Sequence, residues 1–138
     1  MDESIYREKY VEMQFLDKQI KQLQTQSQNL EEQIQEINYI VDSLEEVKEV
    51  KEGDEILVPI SNGIFITAQV KECTNLKVNM GSNTVVDKSI KGTQDMLLNQ
   101  AQEIHDIQKN LMKNLEEYTD RAMLTEAEIK KIIDQENV

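Results

Sequence analysis

The sequence predicts an α+β chain in which two long helices form an antiparallel coiled coil, with two β-hairpins between them. Three observations carry this expectation: heptad spacing of apolar residues in both end segments, a switch to two-residue alternation in the middle, and too few bulky apolar residues for a wide core. Of 138 residues, aromatics make up 4% and Trp is absent, Gly numbers 4 and Pro 1, and 30% are charged. Long helices that each bury a narrow stripe suit such a composition better than a compact globule does. Regular periodicity argues against intrinsic disorder, the competing reading of a polar, acidic chain.

The first helix is drawn by a seam between Tyr6 and Leu44. Position a falls on Met13, Ile20, Ser27, Ile34 and Val41, and position d on Leu16, Leu23, Leu30, Ile37 and Leu44. A sustained repeat of seven marks a coiled coil, because an ordinary surface helix shows a wider stripe that drifts off the repeat. No Gly or Pro precedes Gly53. The helix is therefore expected from about Ser4 to Glu52, roughly 70 Å long at 1.5 Å per residue, with Gly53 at the C′ position.

A second seam runs through Leu97, Ala101, Ile104, Leu111, Leu115, Tyr118, Ala122, Ile129 and Ile132, with Gln108 and Thr125 as polar interruptions. Ser89 or Thr93 can cap this helix, and Asp95 is expected in its first turn, where the dipole favours an acid. It should start between 90 and 94 and end near 135. Between the helices, GDEILVPISNGIFITAQVKE reads as two strands joined at Asn62-Gly63, and TNLKVNMGSNTVVDKS as a second pair turning at Gly81-Ser82-Asn83. Pro59 cannot donate to a ladder, so its strand lies at an edge or carries a bulge there. The expected organisation is an N-terminal helix over 1–52, an oligomerisation region of two hairpins over 53–89 forming a small sheet, and a C-terminal helix over 90–138.

Facing the two seams with a opposite d gives a proposed register in which paired residue numbers sum to about 145. Leu44 then meets Ala101, Ile37 meets Gln108, Ser27 meets Tyr118, and Lys9 approaches Glu136. The apolar surplus of the hairpins (Ile56, Val58, Ile60, Ile64, Ile66, Val70, Val78 and Val85) needs a cover, and two isolated hairpins leave exposed edges. Pairing with other subunits supplies one; packing on the helix bases is the alternative.

Charge narrows the function. The net charge is −12. Residues 1–52 carry 13 acids and 6 bases and residues 93–138 carry 10 and 5, whereas 53–92 hold 4 of each. Such flanks repel phosphate backbones and anionic lipid surfaces, so neither nucleic acid nor membrane is an expected partner. Cys73 stands alone, which excludes an intramolecular disulfide framework and a cysteine zinc site. The N-terminus MDESIYREKY lacks a basic start and an apolar signal core, and no run approaches the ~20 apolar residues of a membrane span, so a cytoplasmic location is expected. His105, with Glu103 and Asp106 beside it, has no second His or Cys at ligand spacing and reads as a solvated surface residue. The acid pairs Glu45-Glu46 and Glu116-Glu117 do not converge on one point, and Gly53, Gly63, Gly81 and Gly92 form no phosphate loop. No catalytic residue, metal site or cofactor is expected.

Apolar residues off the seam point elsewhere. Ile5, Tyr10, Val11 and Phe15 lie outside a and d near the N-terminus, while Met123, Leu124 and Ile133 lie near the C-terminus beside the seam residues Ile129 and Ile132. Segment 17–36 has almost none. With the flexible Met13 and Met123 these residues form a candidate binding surface at the helix tips for varied apolar partners. The alternatives are a sealed fraying end or contact with another arm. Tyr39, Ile40, Met96, Leu98 and Ile107, nearer the hairpins, are expected to pack as helix bases under the β-region rather than to line a ligand pocket.

The stretch EGDEILVPISNGIFITAQVKE resembles the glycine–acid turn, I-L-V-P strand and hairpin of α-class prefoldin subunits, and VNMGSNTVVDKS is similar to their second hairpin. Val85-Val86-Asp87-Lys88 occupy the places that lead into the second helix, while the turn at Gly81 lacks the second glycine often found there. The resemblance covers nearly the whole chain, because helix–two hairpins–helix is the α-class plan and β-class subunits have one hairpin. It implies a hexamer of two α-class and four β-class subunits whose β-regions join into a double β-barrel with six coiled coils projecting from it. It also implies an ATP-independent chaperone that holds unfolded proteins at the coiled-coil tips and delivers them to a group II chaperonin. An archaeal source fits better than a eukaryotic one. A coiled-coil scaffold or filament-forming subunit shares the fold without tip-dependent holding, and an adaptor for one folded partner is a third reading.

Overall fold

The computed structural model describes residues 3–136. Its elements run α1 (Glu3–Val47), β1 (Glu55–Ser61), β2 (Ile64–Gln69), β3 (Asn75–Asn79), β4 (Val85–Ser89) and α2 (Ile90–Glu136). They gather into two compact units, one of Met1–Gln33 with Glu103–Val138 and one of Ile34–Gln102.

In the first unit the two helices pair antiparallel along the expected seam. Leu16 is fully buried, and Ala122 and Thr125 nearly so. Met13, Ile20, Leu23, Ser27 and Leu30 of α1 are covered in part, as are Ile104, Gln108, Leu111, Leu115, Tyr118, Ile129 and Ile132 of α2. In the second unit Ile34, Ile37, Val41, Leu44 and Leu97 are half-buried and Ala101 is buried. Each a and d position assigned from the sequence is therefore shielded, which is what a seam of period seven requires.

The register differs from the expected one. Arg121 pairs with Glu12, Lys9 with Glu128, and the Ser27 hydroxyl donates to the Met112 sulfur. Gln108 and Gln94 donate to Ser27 and Glu31 and to Val41 and Glu45, respectively. The paired numbers sum to between 133 and 139 rather than 145. Lys9 thus meets Glu128 instead of Glu136, and Ser27 lies beside Met112 instead of Tyr118. The level of Leu44 is that of Gln94, not Ala101. A slip of one heptad leaves every a opposite a d, so the apolar pattern is satisfied both ways and polar groups must choose.

Two glutamines bridge the seam in the observed register. The Gln108 amide donates to the Ser27 carbonyl at 3.3 Å and to the Glu31 carboxylate at 3.1 Å. The Gln94 amide makes the same pair of bonds two heptads away, to the Val41 carbonyl at 3.1 Å and the Glu45 carboxylate at 2.9 Å. Ser27 and Val41 are both a positions, and the acids lie four residues after them. In the slipped register Gln108 would lie level with Ile34 and Asn38, and no carboxylate would be available there.

Of the two helix ends near the hairpins, that of α1 departs from expectation, while α2 starts within the expected range and only Asp95 falls elsewhere than expected. α1 stops at Val47 rather than Glu52. Its end tightens through three successive i→i−3 bonds, Lys48 to Glu45, Glu49 to Glu46 and Val50 to Val47, a common way to satisfy terminal carbonyls. Gly53, at φ +88°, serves the hairpin instead of capping the helix: its N–H donates to the Val70 carbonyl at 2.7 Å. α2 begins directly after Ser89, whose hydroxyl accepts the Gly92 N–H at 2.9 Å. A start this early leaves Asp95 beyond the first turn, which holds no acid.

β1 and β2 pair from Glu55↔Gln69 to Ser61↔Ile64, with an irregularity between Pro59 and Ser61 where proline was expected to disturb the ladder. β3 and β4 pair from Asn75↔Ser89 to Asn79↔Val85. The connecting turn holds Gly81, Ser82 and Asn83 at positive φ, closed by Met80 and Thr84 and by the Gly81 N–H donating to the Asn79 side chain. The hairpins form two separate two-stranded sheets, not the single small sheet expected. No strand of one borrows a backbone partner from the other.

Candidate functional site

Exposed apolar side chains outside the seam fall at the helix tips of the first unit, on the strands of the second, and singly elsewhere along both helices. In the first unit, Ile5, Tyr10, Val11 and Phe15 of α1 and Met123, Leu124 and Ile133 of α2 are exposed, Leu124 by 66%. Met13, Ile129 and Ile132 are half-buried and belong to the seam itself. Helical spacing produces this division: Val11 and Phe15 are one turn apart on the back of α1, and Met123 and Leu124 follow the buried Ala122 and turn away from it. Tyr6, which the sequence reading used only to mark the start of the seam, also belongs here. Its ring stacks with that of Tyr10, centroids 6.4 Å apart and 15° between planes. The (i, i+4) spacing of the two tyrosines was the available signal.

Ion pairs fix this end of the coil. Lys9 bridges Glu128 across the seam and Glu12 along α1, and Arg121 reaches Glu12 at 3.5 Å while lying 5.9 Å from the centre of the Tyr118 ring. The hydrogen bond to Glu128 is the main cause that raises the Lys9 ammonium above its ordinary value. Between α1 and α2 a groove of about 400 Å³ is lined by Glu3, Tyr6, Arg7, Ile133 and Glu136. Among the described residues no three His, Cys, Asp or Glu side chains gather as a metal site requires, and no helix is long and apolar enough to cross a membrane.

In the second unit, the hairpins expose Ile56, Val58, Ile60, Ile64, Ile66 and Val85, while Val70 and Val78 are half-buried. The β1–β2 register sets Ile56, Val58 and Ile66 with Ala68 on one face. Leu57 and Phe65 fall on the other face and are 66% and 53% exposed. Strict alternation predicts that placement, yet the sequence reading counted only the aliphatic face. The β3–β4 hairpin is one-sided. Leu76, Val78 and Val86 are half-buried, and the opposite face carries the Lys77–Asp87 ion pair, the chief cause that raises the Lys77 ammonium.

One expectation fails here. Tyr39, Leu98, Ile107 and Ile40 are exposed, Tyr39 by 73%, and only Met96 of that group is half-buried. They are not packed as helix bases under strands of this chain. Tyr39 occupies the heptad position opposite the seam, which no partner helix covers.

Together these features define a class: a coiled-coil chain with two inserted antiparallel hairpins, carrying its free apolar surface on the strands and at the helix tips. The comparisons sharpen it. A family model described as prefoldin subunit matches residues 15–135, and the chain belongs to the prefoldin family. It is 27% identical to the prefoldin subunit alpha of Thermofilum pendens over 110 residues, 80% of this chain and 85% of that protein. It is 23% identical to the prefoldin subunit alpha of Archaeoglobus fulgidus over 123 residues, covering 89% and 90%. Among solved structures, the cryo-EM structure of filamentous PFD from Methanocaldococcus jannaschii superposes with a TM-score of 0.71 at 17% identity, covering 89% of this chain and 96% of that one. At that identity the likeness is one of fold.

Proposed function

We propose that this chain is the α-class subunit of a cytoplasmic chaperone, a hexamer of two α-class and four β-class subunits. It is non-enzymatic: it holds unfolded proteins at its coiled-coil tips without ATP and delivers them to a group II chaperonin. The observation that carries the reading is the exposed apolar surface at the tip in a chain whose seam is otherwise closed. Val11, Phe15, Met123 and Leu124 lie off the seam, and each is more than half exposed. Solvent-facing apolar clusters of this kind mark interaction surfaces. The hairpins support the assembly. A lone two-stranded hairpin is marginal in water, and here two of them stand unpaired, the β1–β2 hairpin with its aliphatic face exposed. Joining sister hairpins into a β-barrel buries those faces and removes the edges.

The test is suppression of light scattering by a chemically denatured, unrelated protein, using the hexamer reconstituted with a β-class partner. Removing 1–11 and 128–138 should leave assembly intact and abolish protection, as should Val11→Ser, Phe15→Ser, Met123→Ser and Leu124→Ser combined. Undiminished holding by either variant refutes the tip assignment. A scaffold or filament-forming subunit is the second reading, supported by the filamentous solved neighbour. It requires open-ended growth of the chain alone and no protection of denatured clients.

A further inference from the structure

Clients of a holding tip need not be purely apolar, and the groove lined by Glu3, Tyr6, Arg7, Ile133 and Glu136 has a polarity of its own. Its apolar contributions are Ile133, 40% exposed, and Tyr6, 36% exposed, whose ring stacks on that of Tyr10. Of the nearby bases, Lys9 and Arg121 are engaged by Glu12 and Glu128, and Lys130 and Lys131 line a separate groove with Ala127, Asp134 and Gln135. Glu3 and Glu136 form no ion pair among the described residues. Among the described lining residues Arg7 is the single cation, against the two acids Glu3 and Glu136. Exposed tyrosine faces attract cations as well, and Arg121 over Tyr118 is an instance in the same unit.

Resting on the tip reading above, we propose that this groove selects client segments in which an aliphatic or aromatic residue stands beside Lys or Arg. The apolar residue takes the Tyr6–Ile133 floor, and the adjoining cation lies against Glu3, Glu136 and the tyrosine faces. Acidic apolar segments meet a like-charged rim and are disfavoured. Each solvent-exposed ion pair contributes a modest, salt-sensitive factor, roughly two- to fivefold at most. Two of them multiply to a preference of about four- to 25-fold at most for the basic segment at low salt.

The experiment uses three fluorescent peptides with one Leu-Phe-Leu centre, flanked on both sides by Lys-Lys, Gln-Gln or Glu-Glu. Binding to the full-length assembly is followed by anisotropy at low and high salt. The expected order is Lys over Gln over Glu, with the spread collapsing at high salt and the Lys preference falling toward onefold in Glu3→Gln/Glu136→Gln. Equal affinities for all three peptides overturn the selectivity and leave the tip reading standing. A Lys preference that survives intact in the double variant also overturns it, because the chain's overall charge would then be the source. Binding of none of the peptides removes both the selectivity and the tip reading.

Discussion

Replacing Gln94 and Gln108 together by Leu tests what sets the helix register. Each glutamine donates to a backbone carbonyl across the seam, at 3.1 and 3.3 Å. A backbone carbonyl recurs at every residue, so the discriminating bond is the one from Gln108 to the Glu31 carboxylate at 3.1 Å, which the slipped register lacks and which contributes about 1 kcal/mol net, or about fivefold. Leucine at these half-buried or buried places gains about as much from apolar contact as the lost bond gave. Stability in urea should therefore change by less than about 1 kcal/mol per site while register selection falls. Cysteine pairs read the register in a Cys73→Ser background. A slip of seven residues displaces the helix by about 10 Å, beyond the ~4–7 Å Cα separation that a disulfide spans. Pair 23/115 should close in the parent chain and pair 23/122 should not. In the double leucine variant 23/122 should begin to close. Continued absence of that cross-link would show that the hairpin connection, not the glutamines, holds the register, and closure of 23/122 in the parent would refute the register itself.

Ser89→Ala removes the hydroxyl that accepts the Gly92 N–H and should cost about 1 kcal/mol in urea denaturation; an unchanged midpoint would mean that the cap is not used in solution. Ser82 holds φ +51° between Gly81 and Asn83, a left-handed conformation costly to a β-carbon, so Ser82→Gly should stabilise the chain by roughly 0.5 kcal/mol or leave it unchanged. A clear loss of stability would reject that account of the turn. The Glu45 carboxyl is held below its ordinary value of 4.5, first by Lys48 and then by Gln94. Its contribution is present above pH 4.5 and fades as pH falls through the depressed folded-state value. Glu45→Gln should therefore flatten the acid side of a stability–pH profile, and an identical profile would count against the contact. Lys9 runs the other way. Its raised ammonium stabilises below the ordinary 10.5 and is lost as pH climbs through the higher folded value, so Lys9→Met should flatten the alkaline side.

Much of the architecture was legible because it rests on periodicity. The a and d positions from Met13 to Leu44 and from Leu97 to Ile132 could be read from spacing alone, since only those residues of a paired helix meet the partner. Asn62-Gly63 and Gly81 announced the turns through backbone demands that few residues meet. The apolar residues of the tip were legible as exceptions to the heptad. Phe65 and Leu57 were missed because the eye follows the more aliphatic face, although the two-residue alternation contains both.

Register and helix ends belong to tertiary structure. The heptad repeats every seven residues, so apolar matching alone cannot separate two alignments one heptad apart; Gln108 distinguishes them because its carboxylate acceptor, Glu31, has Asn38 in its place seven residues on. Where α1 stops depends on how its last carbonyls are satisfied, and here i→i−3 bonds at Glu45, Glu46 and Val47 end it before the glycine that the sequence offers. Ser89 begins α2 while still paired as the last residue of β4. The sequence by itself determined which faces are apolar. Geometry in three dimensions decided which of them found a partner within the chain, closing the seam and leaving the tips and strands open.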